Sequence, residues 1–214
     1  MTAHAAALRQ RLRHVYWIGG GSGAGKSTIA RRISAHYGLH LYSTDDVMAD
    51  HVRRSTSADA PYLERFMAMD MDERWLNRSP EIMLETFPWF HGEGFGLIVE
   101  DLLRLPAAPR VIAEGFRLLP HLVQPVSVDR RHVVWLLPTP EFRLAAFDSR
   151  GTAWEVSRKT GDPLRARWNI LERDRMFTDR LLEETKRLEL PAIEVDTTIG
   201  EEHLADQVSQ AWGL

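Results

Sequence analysis

The chain has 214 residues, of which 44% are hydrophobic and 27% charged, with a formal net charge of −3. That length suits one α/β domain with an inserted lobe. The absence of cysteine excludes disulfides and thiolate zinc sites. No apolar run approaches the ~18 residues a membrane helix needs, and the acidic balance gives no support to a nucleic-acid-binding surface. Basic residues are almost all arginine, with lysine only at 26, 159 and 186. A coding bias alone can produce that usage, so it indicates no function.

Residues 1–14 read as an amphipathic helix, with alanines and Leu8 set against Arg9, Arg11 and Arg13. Arg-rich, acid-poor N-termini can be transit peptides. Here the helix leads directly into a strand, and a cytoplasmic location is expected. Val15-Tyr16-Trp17-Ile18 is the β-branched and aromatic run of a buried strand. Gly20-Gly21-Ser22-Gly23-Ala24-Gly25-Lys26-Ser27 follows, then Thr28. It fits G-x-x-x-x-G-K-[ST], the phosphate-binding P-loop. Ile29, Ile33 and Tyr37 then recur at helical spacing, so the loop joins a strand to a helix N-terminus. Glycines there bring backbone N–H groups against phosphate oxygens, and the helix terminus adds its partial positive charge. Gly20 to Thr28 are therefore the candidate nucleotide contacts. Lys26 is placed to reach the β- and γ-phosphates, and the Ser27 hydroxyl to ligate Mg²⁺.

Gly38 is a natural helix stop, and Leu39-His40-Leu41-Tyr42 reads as a second strand ending in Ser43-Thr44-Asp45-Asp46. In open parallel sheets, chemistry collects at the carboxyl ends of strands. One of the two aspartates is expected to cap the next helix and the other to face the site, with Asp45 the functional one. Residues 47–109 are too long for a simple crossover and read as a mostly helical lobe. Its Met, Trp and Phe residues suit either an acceptor pocket or the lobe's own core. His91 and Glu93, in a Gly-flanked turn, are possible substrate contacts. Val111-Ile112-Ala113 is the third strand, closed by Glu114-Gly115. An acidic residue there can hold the hydration shell of Mg²⁺, as in a Walker B motif.

His132 to Leu137 is the fourth strand, and Thr139-Pro140 starts a helix with a hydroxyl cap and proline at its first position. Residues 150–175 are the most arginine-dense segment. Thr160-Gly161-Asp162-Pro163 opens another helix, on which Leu164, Trp168 and Leu171 form an apolar stripe. Arg165, Asn169 and Arg173 form a second stripe about 100–140° away by the helical period. Such a row can clamp phosphates as a lid closes, or be a solvated face. The clamp is the expectation, with Arg158 a further candidate finger. Ala192 to Val195 is the fifth strand, and a last helix carries Leu204, Val208 and Trp212.

Five strands alternating with helices give a three-layer α/β P-loop NTPase domain with a mainly parallel sheet. No repeat, linker or low-complexity tract divides it. Residues 1–214 are read as a single domain, with the lobe at about 47–109 and a lid at about 150–175.

Gly20–Thr28, Ser43-Thr44-Asp45-Asp46, Val111-Ile112-Ala113-Glu114-Gly115 and the 158–175 segment together resemble the P-loop kinases of small molecules, the shikimate, gluconate and nucleoside monophosphate kinase group. The Ser-Thr-Asp and Glu-Gly pieces look most like 2-phosphoglycerate kinase and related proteins. The resemblance implies a sheet order 2-3-1-4-5, a helical acceptor lobe and transfer of the γ-phosphoryl of ATP·Mg²⁺ to a small-molecule acceptor. Lys26 would hold the donor, and Ser27 would ligate Mg²⁺ with Glu114 behind it through water. Asp45 would orient or deprotonate the acceptor hydroxyl, and Arg158, Arg165 and Arg173 would neutralise the transferring charge. The lobe carries no motif of these families, so a metabolite, an antibiotic hydroxyl and a nucleotide all stand as acceptors. Neither a nucleic acid nor a membrane is expected as partner. Two other readings are a regulatory ATPase without an acceptor and a 5′-hydroxyl nucleic-acid kinase. No Asn-Lys-x-Asp or Leu-Ser-Gly-Gly stretch favours a GTPase or an ABC-type ATPase.

Overall fold

Val15–Gly20, Val111–Glu114 and Val133–Pro138 bury every residue, as strands covered on both faces must. They form β1, β3 and β4 of a five-stranded sheet in a computed structural model that describes residues 3–150 and 156–214. His40–Ser43 and Ala192–Val195, half exposed, are the edge strands β2 and β5. The order is β2-β3-β1-β4-β5 and every pairing is parallel. The register decides the site. Ile18 and Ser43 both pair with Glu114, so the ends of β1, β2 and β3 reach one edge together.

Alternation along the strands divides the core into two layers. Tyr16, Ile18, Val134 and Leu136 face helices α2 (Lys26–Tyr37) and α11 (Glu201–Trp212). Val15, Trp17, Val111, Ala113 and Trp135 face α7 (Phe95–Arg104) and the long helix α10 (Pro163–Arg187). The Trp135 indole N–H donates to Leu118 O at 2.9 Å, so its one polar atom is satisfied inside the core. Outside the lobe, the described residues also include α1 (Ala3–Arg11), α8 (Pro120–Val123) and α9 (Pro140–Arg150). Gly38 closes α2 in the left-handed conformation, and the Thr139 hydroxyl caps α9 by accepting from Phe142 N at 3.2 Å.

The stretch 47–109 is mostly helical, its last helix ending at Arg104: α3 (Met48–Arg54), α4 (Pro61–Ala68), α5 (Met71–Trp75), α6 (Pro80–Thr86), a 3₁₀ turn at Pro88–His91, and α7. Asp70 and Ser79 cap α5 and α6. Phe66, Phe87 and Phe90 are buried and pack edge-on against one another. Phe90 stacks on Phe177 of α10 with ring centroids 3.7 Å apart, which joins the lobe's aromatic core to the core under the sheet.

Two expectations are corrected. Val47 is the N-cap residue of α3 and no side chain caps that helix, so neither Asp45 nor Asp46 does so. On α10 the stripes do not divide as expected: Leu164 and Trp168 are 72% and 60% exposed, Leu171 is half-buried and Arg165 exposed, while Asn169 and Arg173 are buried. Residues 151–155 of the expected lid lie outside the described residues.

Candidate active site

The loop from Gly20 to Lys26 leaves the buried end of β1 and feeds α2 without a side-chain cap. Gly25, the cap residue, has φ of 77° and ψ of 6°, and a Cβ there would meet nothing within 4 Å. Glycine supplies the left-handed turn that aims the first N–H groups of α2 into the loop. The first turn carries no acidic side chain to occupy those donors. The Lys26 ammonium is buried and donates back to Gly21 O at 2.8 Å, so it lies over the loop. Loop amides, helix terminus and ammonium together form an anion cradle.

The neighbouring strand ends bring two carboxyls to it. Thr44 N donates to Glu114 O at 2.9 Å and extends the β2–β3 ladder by one step, which puts Asp45 at the rim. Asp45 keeps solvent contact. Enough protein packs around its carboxyl to raise its pKa, against the opposing charges of Lys26 and then Arg117. Glu114 is 1% exposed, and among the described residues neither of its carboxylate oxygens has a hydrogen-bond partner. A bare buried carboxylate is costly unless a cation or donor meets it. Gly115 follows with φ of 148°, and a Cβ there would land on Thr44 Oγ1. Glycine is therefore what lets the ends of β2 and β3 close on each other.

Two arginines that the motifs did not indicate belong to this region. Arg117, 1% exposed, donates to Thr44 O at 3.3 Å and lies over the Trp89 ring at 4.6 Å from its centroid. Burial lowers its pKa to about 10. Its sequence signal is an arginine set among Phe116, Leu118 and Leu119, where a cation has to be buried. Arg143, in α9, is 3% exposed and donates to Thr178 Oγ1 at 2.6 Å and to Pro138 O at 3.4 Å. Its Cγ is 3.5 Å from where a Cβ on Gly23 would sit, so it is packed against the P-loop. It stands one turn into a helix that starts at the carboxyl end of β4, the kind of position that faces such a site.

The expected lid arginines differ in burial. Arg158 and Arg165 are exposed. Arg173 is buried against Asp174, with Nε and Nη2 at 2.9 and 2.7 Å from Oδ1. The Trp75, Phe87 and Phe90 rings surround it at 5.2, 4.5 and 5.4 Å. Asn169 donates to the carbonyls of Trp75 and Leu76 at 3.2 and 3.0 Å, tying α10 to the end of α5. Glu93 accepts from the Tyr62 and Leu63 N–H groups, both at 2.8 Å, and so caps α4. His91 stacks on Tyr62 with centroids 4.1 Å apart. Both side chains have structural partners within the lobe.

A cavity of about 290 Å³ opens beside the loop, walled by Gly25, Thr28, Phe142, Ala146, Ile199 and Leu204. It lies between the P-loop, α9 and the connection from β5 to α11. Mostly apolar and adjacent to an anion cradle, it has the makings of a site for a flat heterocycle joined to phosphates.

The sheet order, the loop and the strand ends define the architecture. The fold is a P-loop α/β fold: a parallel five-stranded sheet of order 2-3-1-4-5 with the loop between β1 and α2. The solved structure of deoxyadenosine kinase from M. mycoides with bound dATP is similar at a TM-score of 0.50 and 14% identity, covering 94% of this chain and 100% of that one. Shikimate kinase from Acinetobacter baumannii in complex with shikimate is similar at a TM-score of 0.45 and 16% identity, covering 96% and 95% of the two chains. Residues 19–86 match the model of the AAA domain family. No curated protein matches the chain.

Proposed function

We propose that the chain is an ATP·Mg²⁺-dependent phosphotransferase that acts on a hydroxyl or phosphate of a small molecule. One observation carries this reading. Glu114, buried with both oxygens free of hydrogen bonds, ends the strand beside the P-loop, and Asp45 ends the next strand out. The P-loop fold and the apolar cavity beside the loop support it. An orphaned buried carboxylate fits a hydrated divalent cation, so Ser27 and Glu114 are the residues that would hold Mg²⁺, Glu114 through water. The bound ion would neutralise charge on the β- and γ-phosphates.

The chain's own groups supply the rest. The loop amides and Lys26 bind and orient the donor phosphates. Arg143 adds a second positive charge on the α9 side of the loop. Asp45 accepts or directs the proton of the acceptor hydroxyl. The charge beside Asp45 matters because the protein packed around this exposed residue's carboxyl would otherwise leave it a weaker acid. The polar stripe Arg165, Asn169 and Arg173 has a narrower part than a row of phosphate ligands: Asn169 and Arg173 hold α10 to the lobe that would carry the acceptor. The test is ADP formation by the purified protein with Mg²⁺ across hydroxyl metabolites, nucleosides, nucleotides and aminoglycoside-like compounds. Stimulation by one class supports the reading. Turnover indifferent to every class contradicts it.

A further inference from the structure

Arg117 is the hub of a buried polar chain that runs from the lobe to the strand ends. Its Nη1 donates to Thr44 O at 3.3 Å, and its Nη2 reaches Gly94 O at 3.4 Å and His51 Nδ1 at 3.0 Å. A guanidinium has donors only, so Nδ1 of His51 must be the unprotonated acceptor. The ring hydrogen then sits on Nε2, which donates to Asp101 Oδ2 at 2.7 Å. Asp101 also accepts from the Tyr42 hydroxyl at 3.0 Å and from Arg54 at 2.8 Å. His51 is 0% exposed. Thr44 O, the atom Arg117 grips, belongs to the peptide unit that carries Asp45.

We propose that Arg117 is a positioning residue for Asp45, fixing the Thr44–Asp45 peptide and setting a positive charge beside the carboxyl, and that His51 holds it there while its ring is neutral. The proposal rests on the reading of Asp45 as the group that receives the acceptor proton. The charges agree with the geometry. Against the burial that raises the Asp45 pKa, Lys26 and then Arg117 lower it, while Asp46 raises it further. His51 is faced by Asp101 from α7, by Arg117 from the segment after β3 and by Arg54 from its own helix, with Tyr42 reaching it through Asp101. Burial holds its pKa below the ordinary 6.5, so the ring is neutral at pH 7. A proton added to Nδ1 would point N–H against N–H and place two cations in contact. Protonation of His51 therefore loosens its hold on Arg117.

Two measurements on the full chain test this without any turnover. In the wild-type protein at pH 7, imidazole ¹⁵N shifts of His51 should report the Nε2–H tautomer. The Nδ1–H tautomer, or a charged ring, overturns the chain of hydrogen bonds. The Asp45 carboxyl is then followed by ¹³C titration, with its signal assigned by its loss in Asp45→Asn. Arg117→Met should make Asp45 a roughly tenfold weaker acid, the effect of one lost neighbouring cation. Arg117→Lys, which keeps the charge, should recover most of that change. A folded Arg117→Met with an unmoved Asp45 midpoint overturns the proposal. Should that variant not fold, the wild-type tautomer and the Arg117→Lys titration decide. Failure of the phosphotransferase reading looks different: no acceptor class stimulates turnover, while the tautomer and the midpoint shift remain.

Discussion

Replacing Glu114 by glutamine should stabilise the ligand-free protein and remove its response to Mg²⁺. The carboxylate is 1% exposed with both oxygens unpartnered, next to the buried strands β1 and β3. An amide of the same shape loses the charge that burial penalises most. The expected gain is about 1–3 kcal/mol, from removing the charge alone, since the amide's oxygen and nitrogen stay without partners. For a chain of this size that converts to a rise in Tm of roughly 2–12 °C. Nucleotide should act in the opposite sense. At ~100 Kd of Mg·ATP, the wild-type protein gains about 2.7 kcal/mol by mass action. Glu114→Gln should keep the part of that gain due to ATP alone and lose the part due to Mg²⁺. Thermal melts with and without ATP, each with EDTA or Mg²⁺, measure all four states. The reasoning is refuted if the variant melts below wild type without ligand, or if Mg²⁺ still adds the same shift in its presence.

Other consequences follow from the same geometry. Lys26→Ala should lower phosphoryl transfer by about 10²-fold or more, as expected for loss of a preorganised charge at the transferring group, with the far-UV spectrum unchanged. Asp45→Asn should reduce kcat far more than it weakens ATP binding, and equal losses in a binding titration would move the role to another carboxyl. On α10, Asn169→Ala should cost about 1–3 kcal/mol because it strips a donor from buried carbonyls. Trp168→Ala should stay within about 0.5 kcal/mol, as for ordinary surface changes, and urea melts of the pair check which of the two faces inward. Lowered His pKa values favour the neutral ring in the folded state, so their stabilisation is complete above the ordinary 6.5 and fades as pH falls through the lowered folded value. His14, His51 and His132 all act in this direction. The ligand-free Tm should therefore fall below pH 6.5, and His51→Asn should flatten part of that slope.

The P-loop was legible because its chemistry is contiguous: eight residues, a strand before and a helix after. The strand ends were legible because buried parallel strands are short apolar runs, and the residue that stops each run stands at the edge where ligands collect. Asp45 and Glu114 follow from that rule. Arg117 does not, because its role depends on His51 and Asp101, 66 and 16 residues away in the chain. Glu93 was obscured in the same way, since it caps a helix that begins about thirty residues earlier. The burial of Asn169 and Arg173 on α10 was hidden for a different reason. Hydrophobic periodicity assumes that the inner face is apolar. Ala166, Ile170, Phe177 and Leu181 do make the inner face largely apolar, but near its start it also meets the last carbonyls of α5, which have no partner within their own helix and need a donor. Asn169 supplies it, and Leu164 and Trp168 are left outside.

The most direct test of the central claim is a single-turnover reaction with γ-labelled ATP and Mg²⁺, run with each acceptor class and with Lys26→Ala as control. The account predicts that, with one class, the label passes to the organic acceptor in the wild-type protein and not in the variant. Label that appears only as inorganic phosphate, whatever acceptor is present, would contradict it.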